Sequence, residues 1–387
     1  MSVAREKHPL MNLSLGGLCP QEFLDQYWQK KPLLIRQAFA DFVSPVGADE
    51  LAGLACEAEV RSRMILERGG ERPWELRHGP FDEDDFGELG DHYWTLLVQE
   101  VDRHVPAVAD LADAFTFLPE WRKDDVMISF ASNHGGVGPH TDSYDVFLLQ
   151  GSGRRRWEIA PAGSASRWVE GLDIQVLADF EATESWELEP GDMLYLPPGV
   201  PHNGVALEPC LTYSFGFLAP TRGELQADLA AFLESRGRVT RYSDPELGVT
   251  EHPALLDAAA LARLRGLVGQ AELSEREFAT WAGCFLTRPG RPALSEPDEF
   301  SGEDFEEMFS GPGLMRRGEN VRWAYHPFED RALLFVDGGC YEGPGESIRK
   351  LTGQRLFESA DRQSLLPIKG LLAELYQREY LYFPEPM

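Results

Sequence analysis

The residues of this chain whose types and spacing could do chemistry gather in two stretches. One is PHTDSYDVFLLQGSGRRRWEIAP, from Pro139 to Pro161, and the other is GDMLYLPPGVPH, from Gly191 to His202. Residues two apart on a strand point to the same face, so His140 and Asp142 present an imidazole and a carboxylate side by side. His202, which follows an apolar run and a PPG turn, brings the set to two histidines and one carboxylate. That is the facial donor set of non-haem Fe(II), which leaves positions open for a cosubstrate and oxygen. The chain has nine histidines, and a lone His-x-Asp arises by chance in roughly half of such chains; it is the surrounding turns, strands and His202 that give this one weight. His134 lies six residues before His140 in a glycine-rich loop and could replace it or sit over the site, but it lacks a carboxylate two residues on.

The RRRWEI run can be divided by alternation. Arg155 shares a face with Trp157 and Ile159, whereas Arg154 and Arg156 share theirs with Glu158, so a two-residue period turns Arg155 alone inward. A buried guanidinium requires an anionic partner, and its planar fork suits a carboxylate. The competing reading is that all three arginines are solvated or paired with acidic neighbours. An inward cation beside a facial-triad metal fits a dicarboxylic cosubstrate such as 2-oxoglutarate, one end chelating the iron and the other meeting Arg155.

These residues need a rigid frame, and the sequence around them reads as one. From Asp124 to Phe217, short apolar runs separated by GGVGPH, GSG, PPG and HNG turns indicate antiparallel strands. So many strands cannot bury both faces in a single sheet, which predicts a sandwich or barrel of jelly-roll or cupin type. Upstream, Phe23, Leu24, Tyr27 and Trp28 lie at helical spacing, the helix stops before Pro32, and LLIRQAF reads as a strand. Helices are predicted at Ala48 to Ala58 and Asp91 to Val101, with an acidic loop at Asp82 to Asp85 between them. After Pro220 the character becomes Ala/Leu-rich, predicting helices at Glu224 to Glu234, Leu255 to Leu267 and Glu275 to Phe285. PGRPALSEPDE, from residue 289 to 299, reads as a linker. Beyond it, short strands from Val321 to Phe335, a helix from Gln363 to Arg378 led by Pro367, and a closing strand at Tyr380 to Phe383 suit a winged-helix-like domain.

Composition bounds what this frame does. At 387 residues, with 43% hydrophobic and 11% aromatic residues, the chain has room for two or three folded domains. A formal charge of -28 disfavours nonspecific attraction to nucleic acid or an anionic membrane and favours a basic partner. From Val321 onward eight Lys plus Arg stand against ten Asp plus Glu, whereas a groove reader should be basic, so protein contact is expected there and direct DNA binding is not. Five scattered cysteines without CxxC spacing indicate neither a disulfide framework nor a zinc site. No stretch has the length or apolarity of a signal peptide or a membrane span, and the expected location is cytoplasmic.

The two motif stretches, preceded by FLDQYWQKKPLLIRQAF, resemble the JmjC-type bacterial ribosomal oxygenases, the ribosomal-protein arginine hydroxylases of the cupin superfamily. The resemblance in motif covers about residues 20 to 218 and extends in domain order beyond. It implies an α+β chain: a double-stranded β-helix catalytic domain with N-terminal helices (1–218), a helical dimerisation region (219–290) and a winged-helix-like C-terminal domain (291–387). It further implies hydroxylation of the β-carbon of an arginine in a large-subunit ribosomal protein, using Fe(II), 2-oxoglutarate and oxygen and releasing succinate and CO2, by a homodimer. By position, His140, Asp142 and His202 become iron ligands. Arg155 becomes the holder of the distal carboxylate of 2-oxoglutarate, and Ser129 an additional contact that rests on the resemblance alone. Tyr144 and Asp145, just past the ligands, offer an aromatic face and a carboxylate to a substrate guanidinium, although both could equally be ordinary strand residues. Hydroxylation of a ribosomal-protein histidine, or of another protein, is the alternative within the same chemistry, and a noncatalytic cupin scaffold is the alternative outside it.

Overall fold

The computed structural model of the chain describes residues 13–69, 73–238, 273–289, 302–319 and 321–384, together with 241, 243 and 262–264. The chain divides into two compact units, Met1–Ala219 and Pro220–Met387.

The first unit is built on eleven strands: β1 (Leu33–Ile35), β2 (Ser62–Glu67), β3 (Trp74–His78), β4 (Trp94–Val98), β5 (Lys123–Ala131), β6 (Asp145–Ser152), β7 (Arg155–Ile159), β8 (Glu184–Leu188), β9 (Met193–Leu196), β10 (His202–Ala206) and β11 (Cys210–Phe217). Eight form one antiparallel sheet in the order β1-β9-β6-β11-β5-β4-β2-β3, and the other three form a second sheet, β10-β7-β8. Strand β6 is buried along almost its whole length because each face of the large sheet is covered. On one face, Phe115, Phe147, Tyr195, Phe215 and Phe217 pack with Phe23 from helix α1 (Pro20–Gln26) into an aromatic core. On the other, Val146, Leu148, Leu194 and Leu196 meet Trp157, Ile159 and Leu188 of the small sheet. This is the two-sheet arrangement that the turn-punctuated sequence predicts, and the candidate site lies on this second face.

Local chemistry explains the flanking helices. Pro20 occupies the first turn of α1, and the Glu22 carboxylate accepts the Cys19 backbone N–H at 2.8 Å, which caps the start of the helix. Helix α2 (Ala48–Cys56) begins in the same way, with Glu50 accepting the Gly47 N–H. Two expectations are corrected. The acidic stretch at Asp82 to Asp85 is the start of a short helix, α3 (Glu83–Gly87), because Asp82 and Asp85 accept each other's backbone N–H groups. The helix expected from Asp91 to Val101 is strand β4, whose Thr95–Val98 segment pairs with β5 and with β2. Trp-Thr-Leu-Leu-Val is a sequence that a sheet interior accepts readily, and pairing on both sides overrides its helical spacing. Helices α4 (Val101–His104) and α5 (Pro106–Ala112) follow it.

In the second unit, α6 (Arg222–Ser235) is N-capped by Thr221 and α7 (Glu275–Thr287) by Ser274, each through a reciprocal bond with a glutamate three residues on. Helix α7 lies on the antiparallel sheet β13 (Trp323–Phe328), β14 (Arg331–Val336) and β15 (Gly339–Pro344). Gly283 permits the approach, since a Cβ there would stand 2.3 Å from the Phe335 ring. Helix α8 (Gly302–Ser310) precedes a second small sheet, β16-β12-β17, made of β12 (Met315–Arg317), β16 (Leu356–Phe357) and β17 (Leu381–Tyr382). Helices α9 (Gly345–Thr352), α10 (Ser359–Gln363) and α11 (Lys369–Gln377) are further helices among the described residues. The single helix expected from Gln363 is interrupted by a 3-10 turn, Leu366–Ile368, with Pro367 at its start. The helix expected at Leu255 to Leu267 and the linker at 289–299 fall almost wholly outside the described residues.

Candidate metal and cosubstrate site

His140 and His202 are brought together by backbone pairing. They form an isolated antiparallel bridge with both hydrogen bonds at 2.9 Å, and their rings lie 4.2 Å apart between centroids. The PPG turn is tied to the same place by the Gly199 N–H, which donates to the Asp142 carbonyl at 2.8 Å. One ligand atom from each of His140, Asp142 and His202 falls within 4.8 Å of the others, close enough to share one ion. The Nδ1 of His140 faces the Gly138 carbonyl at 3.0 Å and that of His202 faces the Val200 carbonyl at 2.9 Å. With Nδ1 protonated and engaged on both rings, Nε2 remains as the donor atom, the usual outer-shell device of metal-binding histidines. Burial and the adjacent His140 hold the His202 imidazole neutral, with a pKa lowered to about 4. The donor set therefore fits a divalent first-row metal, and among the described residues it is the one such cluster.

Arg155 is buried together with Trp157 and Ile159, in the alternation that its sequence predicts. Arg154 and Arg156 stay on the other face, pairing with Glu208 and Glu158 respectively. The Arg155 guanidinium donates through Nη1 to the Ser129 and Thr212 hydroxyls, each at 3.4 Å, and through Nη2 to the Gly204 carbonyl at 3.2 Å, while its Nε has no partner. Its partners are neutral. Burial pushes its pKa down, the response of a desolvated cation that lacks a compensating charge. The Trp157 ring neighbours both this cation and His202, 4.9 Å from the guanidinium carbon and 5.8 Å from the His202 ring. Ser129, the contact implied by resemblance, is thus in direct reach of Arg155.

The two candidates beyond the ligands are placed differently. Tyr144 is partly buried beside the triad. Burial and the carboxylates of Asp142, Asp125 and Asp124, with a hydrogen bond to Asp142, push its phenol well above the usual range. Asp145 is a correction: it is fully buried on the opposite face, where it accepts from Tyr195 Oη at 2.7 Å, Gln29 Nε2 at 2.9 Å and Arg122 Nη2 at 3.3 Å. A carboxylate with three donors in the core is not available to a ligand. The residue missed is Asp125, which shares strand parity with Met127 and Ser129 on the site face of β5. A Cβ built at Gly216 would lie 3.7 Å from both Asp125 Oδ1 and the Tyr144 ring, so the two flank the same gap. Burial, with Asp124 and Asp102 nearby, raises the Asp125 pKa to about 7. Alternation from Ser129 in DDVMISF was the available signal. His134 is exposed and stacked on Tyr93 at 5.6 Å, apart from the three clustered donors.

A double-stranded β-helix with a His-Asp-His cluster beside a buried, unneutralised arginine defines a metal- and 2-oxoglutarate-dependent oxygenase site of JmjC type. The family model of the JmjC domain matches residues 110–225. The chain is 40% identical to ribosomal protein uL16 3-hydroxylase of Escherichia coli (strain K12) over 301 residues, 77% of this chain and 80% of that protein. The X-ray structure of E. coli ycfD covers 97% of this chain and all of that one, with a TM-score of 0.84 and 34% identity. The structure of YcfD, a ribosomal oxygenase from E. coli, with cobalt and 2-oxoglutarate covers 96% of this chain and 99% of that one, with a TM-score of 0.81 and 33% identity. The chain belongs to this family of JmjC-type ribosomal oxygenases.

Proposed function

We propose that the chain is an Fe(II)- and 2-oxoglutarate-dependent protein hydroxylase acting on the β-carbon of an arginine in a large-subunit ribosomal protein, uL16 being the first candidate because it is the target that the E. coli relative's name states. The observation that carries the reading is Arg155, a buried guanidinium with only neutral partners, one tryptophan away from three clustered ligand atoms. Iron with 2-oxoglutarate and oxygen supplies, when bound, the oxidative decarboxylation to succinate and CO2 that hydroxylates an unactivated C–H bond.

The protein's own residues hold and orient. His140, Asp142 and His202 hold the metal, His202 entering as a neutral imidazole. Arg155 and Ser129 hold the distal carboxylate of the cosubstrate. Asp125 on β5 and Tyr144 just before β6, which flank the same gap beside Gly216, offer a carboxylate and a ring to a guanidinium, which favours arginine over histidine as the target side chain. The net charge of -28 attracts a basic ribosomal protein, and such a target places the enzyme in the cytoplasm; no helix among the described residues is long and apolar enough to cross a membrane. Assembly as a homodimer, without DNA binding, and division into a catalytic part (1–218), a helical dimerisation region (219–290) and a winged-helix-like part (291–387) belong to the same proposal. The dimer is supported by α6, which carries Leu225, Leu229, Phe232 and Leu233 yet has no buried residue.

The test is succinate release and peptide mass with Fe(II), 2-oxoglutarate and a panel of ribosomal-protein peptides. One peptide should gain a single oxygen, and Arg155→Ala and His202→Ala should abolish both signals. A wild-type protein that turns over 2-oxoglutarate with none of the panel would sink the ribosomal assignment.

A further inference from the structure

Arg155 reaches across the sandwich from β7 to the inner face of the large sheet, and it meets there a rung of three polar side chains in otherwise apolar surroundings. Thr212 on β11 lies directly opposite Ser129 on β5 and directly opposite Gln150 on β6. All three are buried. Their hydrogen bonds run in one direction. The Gln150 amide NH2 donates to the carbonyls of Ser152 at 2.9 Å and Gly153 at 3.3 Å, which turns Gln150 Oε1 toward Thr212. The Thr212 hydroxyl donates to that Oε1 at 3.2 Å. Its one proton is then used, so it presents only lone pairs to Arg155 Nη1, 3.4 Å away.

The chain of acceptors starts at backbone carbonyls beside the irregularity where β6 and β11 shift register, between Leu211 and Thr212. It ends by holding one arm of the guanidinium through long bonds to neutral oxygens. A carboxylate in place of Thr212 would neutralise the cation, and an apolar residue would leave the fork without a guide on this side. The rung therefore aligns Arg155 without consuming its charge.

We propose that Thr212, oriented by Gln150, is a positioning residue that fixes the Arg155 fork for the distal carboxylate of a five-carbon dicarboxylic acid and so sets the protein's affinity for its cosubstrate. The inference rests on the reading of Arg155 as the carboxylate holder. It predicts a binding defect that the metal does not share.

Calorimetric titration of 2-oxoglutarate into the Mn(II)-loaded full chain tests it, alongside KM and kcat with iron. Thr212→Val, which keeps the shape and removes the hydroxyl, should weaken 2-oxoglutarate about tenfold, the scale of one hydrogen bond to a charged group. Mn(II) affinity and kcat at saturating cosubstrate should stay within about twofold of wild type by the same reasoning, and Thr212→Ser should restore most of the affinity. Gln150→Leu, which frees the Thr212 proton to turn toward the cation, should weaken binding several-fold, and it decides the matter if Thr212→Val does not fold. If Arg155→Ala loses binding while a folded Thr212→Val, or failing that a folded Gln150→Leu, binds like wild type, this inference is overturned and the proposed function stands. If Arg155→Ala itself binds like wild type, both fall.

Discussion

Asp125 and His202 show how single residues are tuned in opposite directions by the same burial. The Asp125 carboxyl is raised to about 7 and the His202 imidazole lowered to about 4, in each case because the fold disfavours the charged form. For Asp125 the stabilising contribution is present below the ordinary carboxylate range and is lost as pH rises through about 7. For His202 the apo fold loses stability as pH falls from the ordinary imidazole range toward about 4, since the unfolded chain binds the proton first. Asp125→Asn keeps an oxygen for the Glu100 N–H, which Asp125 Oδ2 accepts at 3.1 Å, and removes the buried charge. It should therefore raise the unfolding free energy by about 2 kcal/mol at pH 8, discounted for partial solvent access, with the gain declining as pH falls below about 7 and vanishing only below about pH 4. The same variant should raise KM for the peptide severalfold and leave KM for 2-oxoglutarate unchanged; a peptide KM equal to wild type would remove Asp125 from the substrate subsite. The metal-ligand types and the inward turn of Arg155 were legible in the sequence because a local two-residue period carries them. The position of Asp145 was not, since its partners Gln29, Arg122 and Tyr195 come from distant segments.

At the scale of elements, the site depends on glycine where β10 lies beside β7 in the small sheet and where the loop before His140 meets β10. A Cβ at Gly204 on β10 would lie 2.7 Å from Arg155 Nε and from the Trp157 ring, and a Cβ at Gly136 would lie 2.7 Å from the Gly204 carbonyl. Neither gap can absorb a methyl group without moving the arginine or the loop that leads to His140. Gly204→Ala should abolish detectable 2-oxoglutarate binding in calorimetry, leave the far-UV circular dichroism of the β-structure unchanged, and cost about 1 to 3 kcal/mol in denaturant unfolding. Wild-type cosubstrate affinity would show that Arg155 can sit elsewhere and still serve. Strands flanked by Gly, Pro and Asn turns, from β5 to β11, were readable because the turns punctuate them. Strand β4 was not, because Trp94 to Val98 satisfies a helical spacing and only its two neighbours, β2 and β5, make it extended. The same limit hid the cover that α7 gives the β13–β15 sheet, which hinges on Gly283 meeting Phe335.

At the scale of the whole molecule, surface charge and an incompletely covered helix bear on partners. A charge of -28 should make encounter with a basic ribosomal protein fast at low salt and slower as ionic strength rises, since screening shortens the reach of the field. Helix α6 begins with a well-formed capping box, so its N-terminal donors are satisfied, yet Leu225, Leu229, Phe232 and Leu233 are only partly covered. Phe278 of α7 is 52% exposed. Apolar groups left half in water on neighbouring helices of one unit are better buried against a second copy of the chain. Sedimentation at micromolar concentration should therefore give twice the chain mass of 43.4 kDa. Leu229→Glu, which places a charge in the middle of that stripe, should shift the protein to a monomer while the far-UV spectrum is retained. A wild-type monomer across that concentration range would refute the assembly and leave the half-covered face of α6 to some other partner.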